Sequence, residues 1–205
     1  MTPAAQSLLA QLDSTLAEAP TTWRSAALRQ IVELFVAGAE SFSDDHVDVF
    51  DEVLSLLIKK SVDRTQLAEI SNRLAPVDNA PAKVVDTLAR HSDVAVHGPV
   101  LAQAKALADE VIVDLIDRDR VDPKLLARIA GRAELSTAVT DVLLKRGNAA
   151  IQRKIIDNPN AHISEAGFAR VVSSVNGNKQ LAAPIAARKD LPEELRIWLD
   201  KTLNK

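Results

Sequence analysis

Apolar residues recur along this chain at helical spacing, and in its C-terminal half the pattern itself repeats. Leu107, Leu135, Ile163 and Leu191 follow one another at intervals of 28 residues. Four residues after each anchor stand Val111, Val139, Gly167 and Leu195, and eight after each stand Leu115, Leu143, Val171 and Leu199. Positions i, i+4 and i+8 share one face of a helix, so each unit is predicted to open with an amphipathic helix, interrupted once, at Gly167. The residues just after the anchors are Ala108, Ser136, Ser164 and Pro192. The last three favour a helix start or its first turn. A period of this length holds two short helices and two turns. Such a unit cannot bury its apolar face alone, so neighbouring units must stack. The expected helices cover 107–118, 122–131, 135–146, 148–157, 163–175, 178–188 and 191–203. Gly131, Gly147 and Gly177 fall at or beside the junctions, where a helix end favours a residue tolerant of positive φ.

The N-terminal half shows helical spacing without the strict repeat. Leu8, Leu9, Leu12 and Leu16 form one stripe, which predicts a first helix over about 4–18, ended by Pro20. Thr21 and Thr22 offer a cap for a second helix to Gly38, carrying Trp23, Leu28, Ile31, Val32, Phe35 and Val36. Ser43 caps the next, with Asp44 and Asp45 in its first turn, where the helix dipole favours anions. Asp63 caps a helix holding Leu67, Ile70 and Leu74. A turn from Ala75 to Pro81 leads to the face Val84, Val85 and Leu88. Asp93 caps a further helix in which Pro99 would make a kink or a break. Nothing alternates with period two over a useful length, so an all-α fold without a sheet is expected.

Composition narrows this picture. The 205 residues suffice for one domain or one short solenoid. Hydrophobic residues make up 47% and aromatic residues 3%; Ala and Leu dominate, which suits close helix packing. There is no Cys, which excludes disulfides, thiolate zinc sites and a cysteine nucleophile, and fits a reducing compartment. No apolar run approaches the roughly 18 residues of a membrane helix. The opening Met-Thr-Pro-Ala-Ala-Gln lacks the basic and apolar regions of a signal peptide. A cytoplasmic protein with no membrane partner is the expectation. Residues 1–100 carry 8 Lys/Arg against 14 Asp/Glu, whereas residues 101–205 carry 17 against 14. This is not the strongly basic footprint of a general nucleic-acid binder.

Several segments, in order, carry a family likeness: Arg64–Val85, Leu88–Leu101, Ile129–Gly147, Asn158–Ser164 and Arg188–Pro192. With these in place, nearly the whole chain resembles an alphaproteobacterial family of domains of unknown function built of HEAT-like or armadillo-like helical repeats. The resemblance implies a single-domain α-solenoid of stacked helical hairpins, with acidic N-terminal helices over 1–105 and the 28-residue repeats over 106–205. It implies no reaction and supplies no catalytic residues.

The candidate chemistry is correspondingly modest. Three residues before the anchors stand Ala104, Arg132, Asn160 and Arg188. An Arg in a last helical turn satisfies orphan carbonyls and complements the dipole, and this structural role is favoured for Arg132 and Arg188. Together with Arg128, Arg153 and Lys154 they could also form a basic strip that grips carboxylates or phosphates. Asp109, Glu110, Asp114, Asp117, Asp119 and Asp122 crowd one segment, yet the order of residues in a calcium loop is absent and Arg118 and Arg120 interleave. His91 and His97 are six apart, which is not a one-face helical spacing, and no HExxH occurs. His46 stands among Asp44, Asp45 and Asp48, and His162 falls in a turn. No nucleophile elbow, P-loop or dinucleotide fingerprint is present, so neither catalytic residues nor a cofactor or metal site is assigned.

The function expected on these grounds is a non-catalytic scaffold or adaptor that binds a protein partner on a solenoid face, in signalling or assembly. Arg128, Arg153, Lys154, Arg132 and Arg188 are its candidate binding residues. Self-association through the terminal helices, including Trp198 and Leu199, is a further route. Two alternatives stand beside it. One is a HEAT-like DNA-binding protein or DNA glycosylase, which calls for a Lys/Arg-rich groove and aromatic residues near it, against which stand the absence of Tyr and the negative net charge. The other is a small-ligand sensor with a pocket between helices.

Overall fold

Side-chain caps set where the helices begin. The computed structural model describes residues 11–60 (apart from 12 and 16), 63–117, 122–175 and 179–203. Those residues are helical or connecting, and no strand occurs among them. They fall into two compact units, Met1–Ala108 and Asp109–Lys205.

The first unit holds α1 (Thr21–Gly38), α2 (Asp44–Lys59), α3 (Arg64–Leu74), α4 (Ala82–Ala89) and α5 (Val94–Gln103). Asp63 accepts from the backbone N–H groups of Thr65 and Gln66, and Asp93 from that of Ala95, as N-caps do. Ser43 occupies the N-cap of α2, where His46 Nδ1 accepts from its N–H. The start of α1 differs from the expectation: Pro20, without a side-chain bond, precedes a helix that already includes Thr21 and Thr22. Helix α5 runs on through Pro99. The stripe Leu8, Leu9, Leu12 and Leu16 expected near the N-terminus lies outside the described residues.

The helices of this unit alternate between two rows. Helix α3 packs between α1 and α5, while α2 packs on α4. Leu28, Val32, Phe35, Leu54, Leu74, Val84, Leu88, Val96 and Leu101 fill the space between the rows. Phe35, Phe42 and Phe50 cluster with ring centroids 5.1 to 5.9 Å apart, the range in which offset and edge contacts are favourable. Polar bonds run along the rows as well. Gln66 Nε2 donates to Ser25 O (2.6 Å), Asn79 Nδ2 donates to Ala39 O (2.7 Å), and the buried Asp51 carboxylate accepts from Lys83 N and Val84 N.

The second unit holds α6 (Asp109–Ile116), α7 (Pro123–Ile129), α8 (Thr137–Arg146), α9 (Ala149–Asp157), α10 (Glu165–Ser174), α11 (Ala182–Ala186) and α12 (Glu193–Leu203). The starts of α6, α8, α10 and α12, at Asp109, Thr137, Glu165 and Glu193, follow one another at the interval of the apolar period. Ser136 and Ser164 cap α8 and α10 by accepting from Val139 N and Gly167 N. Asp122 caps α7 ahead of Pro123, whose missing N–H costs nothing at a first helical position. Here too there are two rows: α8 packs on α6 and α10, α10 packs on α12, and α9 packs on α11. Leu115, Leu143, Val171 and Leu199, one residue from each period, are all buried.

Two details depart from the sequence reading. The anchors lie two residues ahead of their helices, and Leu135 sits in a short parallel bridge: its N–H donates to Asn160 O (3.3 Å) and its carbonyl accepts from His162 N (2.9 Å). The glycines do not serve as left-handed caps, since no described glycine has positive φ. Gly147 is extended instead, and a Cβ there would lie 2.6 Å from both Ile151 Cγ2 and Leu143 O. Its requirement is room for the next helix. Gly177 lies outside the described residues.

Gly167 explains the one interruption of the apolar pattern. A Cβ there would lie 2.7 Å from Asp141 Oδ1, 3.0 Å from Ile163 Cγ2 and 3.2 Å from Leu144 Cδ1. The same Asp141 Oδ1 accepts from Ser164 Oγ at 2.8 Å, so α8 and the start of α10 are latched at this contact. Gly167→Ala gains about 1 kcal/mol of helix propensity but overpacks this contact at a cost of about 1–3 kcal/mol. A net loss of stability is therefore expected, larger for Gly167→Val, and a rise in the denaturation midpoint of Gly167→Ala would show that the helices can part freely.

Candidate functional site

Some cationic side chains of the second unit are buried or half-buried against its own backbone, whereas others stay exposed. Arg188 is the extreme of the first kind. It is only 8% exposed. Its Nε and one Nη2 hydrogen go to the two oxygens of Asp190, each at 2.8 Å. Nη1 donates to Ile156 O (3.1 Å) and Asn158 O (2.8 Å), and Nη2 also donates to Ala161 O (2.8 Å). All five N–H donors of the guanidinium are thereby matched. Its carbon also lies 5.7 Å from the centroid of the Phe168 ring, within cation–π reach. Arg188 therefore ties the segment after α9 to the segment after α11 and offers nothing to a ligand. The carbonyls it satisfies belong to the preceding helix pair, where the sequence reading placed them in its own last turn. Its hydrogen bond holds the Asp190 carboxyl below the ordinary carboxylate pKa against the opposing effect of burial, with a smaller contribution from His162.

Asn158 extends this seam, because its Nδ2 donates to Arg132 O (2.9 Å) and its Oδ1 accepts from Asn160 N (3.0 Å). Arg132 is half-buried; burial lowers its guanidinium pKa from the ordinary value, opposed by the Asp109 carboxylate. Arg196, reaching back from α12, donates to Ala186 O and Arg188 O, both at 2.9 Å. Asn158 and Arg196 escaped sequence reasoning, since the partners of their N–H donors are backbone carbonyls, which every sequence carries, and Asp190 escaped it although its partner Arg188 is two residues away.

The outward group is Arg128, Arg153 and Lys154, on α7 and α9. Arg128 is exposed and has no hydrogen-bond or ion-pair partner among the described residues. Lys154 Nζ donates to Ala127 O (3.2 Å), which covers an orphan carbonyl in the last turn of α7, that of the residue before Arg128. Arg153 Nε donates to Asp157 Oδ2 (2.5 Å), and its Nη1 reaches Gln180 O (3.4 Å). Of these three cations, Arg128 and Lys154 are not matched to a carboxylate among the described residues. An open groove is bordered by Pro159, His162, Pro184 and Lys189.

The other constellations resolve into local structure. Asp109 and Glu110 stand in the first turn of α6, Asp117 pairs with Arg146, and Asp122 is a cap; 118–121 lie outside the described residues. His91 Nδ1 accepts from Asp93 N (3.0 Å), and His97 Nδ1 lies 2.9 Å from His91 O, so both rings bind the turn between α4 and α5. Among the described residues no three His, Asp or Glu side chains gather as a metal would need, and no helix is long and apolar enough to cross a membrane.

What these observations define is an all-helical protein whose C-terminal unit starts two helices in every apolar period, the first of each pair at a fixed interval, and carries outward-facing cations on α7 and α9. The chain belongs to a bacterial family described as uncharacterised protein conserved in bacteria (DUF2336), whose sequence profile matches residues 96–204. The matched span includes Ile129–Gly147, Asn158–Ser164 and Arg188–Pro192; Arg64–Val85 lies outside it. Comparison with curated proteins and with solved structures returns no match.

Proposed function

We propose that this chain is a non-catalytic interaction module, a HEAT- or armadillo-like α-solenoid of stacked hairpins that binds an acidic segment of a protein partner in the cytoplasm. The observation that carries the reading is the pair of exposed cations Arg128 on α7 and Lys154 on α9, neither with a carboxylate partner among the described residues, Lys154 being bound to the carbonyl of Ala127, the residue before Arg128. Stacked hairpins favour this use, since they extend a surface one repeat at a time. Guanidinium and ammonium groups on such a surface recognise carboxylates by charge-assisted hydrogen bonds.

The test compares wild type with Arg128→Glu/Lys154→Glu in capture from a bacterial lysate, with melting followed in parallel. A protein partner is expected to bind wild type in a salt-sensitive manner and to be lost, by about tenfold or more in affinity, from the variant of unchanged stability. Retention of the same partner set by the variant would remove the strip from the interface. Recovery of nucleic acid alone, with a steep salt dependence, would favour the DNA-binding alternative.

A further inference from the structure

The outward face of α12 has a composition that its own two-fold image would complement. Glu194, Ile197, Trp198 and Lys201 are all exposed and stand at i, i+3, i+4 and i+7, one stripe of the helix. Ile197 and Trp198 remain 47% and 40% exposed. The opposite side of α12 is committed to its own unit: Leu199 is fully buried, and Arg196 holds the carbonyls of Ala186 and Arg188. The exposed side also has a counterpart earlier in the chain. Ile197 stands two periods after Asp141, the side chain by which α8 meets the cap of α10. In α12 the side that a first-row helix turns toward its successor thus bears an isoleucine, flanked by a tryptophan.

We infer that this face pairs with the same face of a second copy of the chain, antiparallel, across a two-fold axis between Ile197 and Trp198. In that register Ile197 of each copy faces Trp198 of the other, and Glu194 of each faces Lys201 of the other, twice over. The surface is therefore self-complementary in both apolar contact and charge, as an isologous interface must be. Parallel pairing would set Glu194 against Glu194 and Lys201 against Lys201, and is disfavoured by the same charges. The apolar patch is small, so the dimer is weak, with a dissociation constant on the order of 100 µM.

Sedimentation equilibrium of the full chain up to about 500 µM, in the range of this expected affinity, tests the pairing. Wild type should show reversible dimerisation, and Ile197→Glu should be monomeric with an unchanged helical circular-dichroism spectrum. Glu194→Lys and Lys201→Glu, each alone, should weaken association by about tenfold, since two attractive pairs become repulsive. Mixing these two variants should restore it, because only the heterodimer regains both opposite-charge pairs. A wild type that stays monomeric throughout, a dimer indifferent to Ile197→Glu, or a mixture that associates no better than its components would each overturn the proposal.

Discussion

Arg188→Ala is expected to destabilise the C-terminal unit by about 3–5 kcal/mol, the usual cost of removing one partner from a buried, fully hydrogen-bonded charge. The carbonyls of Ile156, Asn158 and Ala161 would lose their donor together, while Asp190 would lose both of its bonds. Each buried polar group left unmatched costs about 1–3 kcal/mol, so the carbonyls dominate. Arg188→Lys should recover part of this, since an ammonium has three donors and no planar fork. Asp190→Ala is the informative contrast. Its own side chain is about half exposed, but its loss leaves two N–H groups of the buried Arg188 without a carboxylate, so it should cost about 2 kcal/mol, less than Arg188→Ala because water can reach the vacated side. Thermal melting separates these outcomes, because a unit of this size shifts by about 4–8 °C per kcal/mol. A melting temperature for Arg188→Ala within a few degrees of wild type would mean that water replaces the guanidinium and that the seam does not hold the turns.

The contrast between Arg188 and the anchors shows what a sequence carries. The apolar period was enough to set the starts of α6, α8, α10 and α12, because burial of one side chain in each turn is a demand on side chains, and side chains are what a sequence specifies. The same period could not tell that Leu135 is outside its helix, since a bridging residue and a helical one can both point inward. The caps Ser136, Ser164, Asp63 and Asp93 were legible because their partners lie two or three residues on. Arg188 was legible as structural but not in its backbone partners, which lie 27 to 32 residues away. Lys154 stood in the sequence as one of three outward cations; its bond to Ala127 O depends on how α9 stacks on α7. Gly167 and Gly147 were read from the pattern as an interruption and a junction, whereas the structure uses both for close approach.

Asp51 left no trace in the apolar pattern, yet its replacement should have the second largest effect. It lies in α2, 5% exposed, and its carboxylate accepts from Lys83 N at 3.0 Å and Val84 N at 2.9 Å. These are orphan donors at the start of α4, whose own N-cap residue, Pro81, has no side-chain acceptor. Asp51 is therefore a cap supplied across 32 residues of chain, and its negative charge stands at the positive end of the α4 dipole. Asp51→Ala should cost about 2–4 kcal/mol, combining a lost charge-assisted cap with two N–H groups left in a buried site. Asp51→Asn should cost roughly half as much, because one amide oxygen can still accept while its NH₂ meets the second N–H. Neighbouring Lys83 remains paired with Glu52 in both variants, which confines the change to the cap. The measurement is hydrogen exchange at the amides of Lys83 and Val84 together with the denaturation midpoint. Faster exchange there is expected, with midpoints rising in the order Ala, Asn, wild type. Unchanged protection at both amides in Asp51→Ala would mean that α4 holds its first turn by packing of Val84 and Val85 alone.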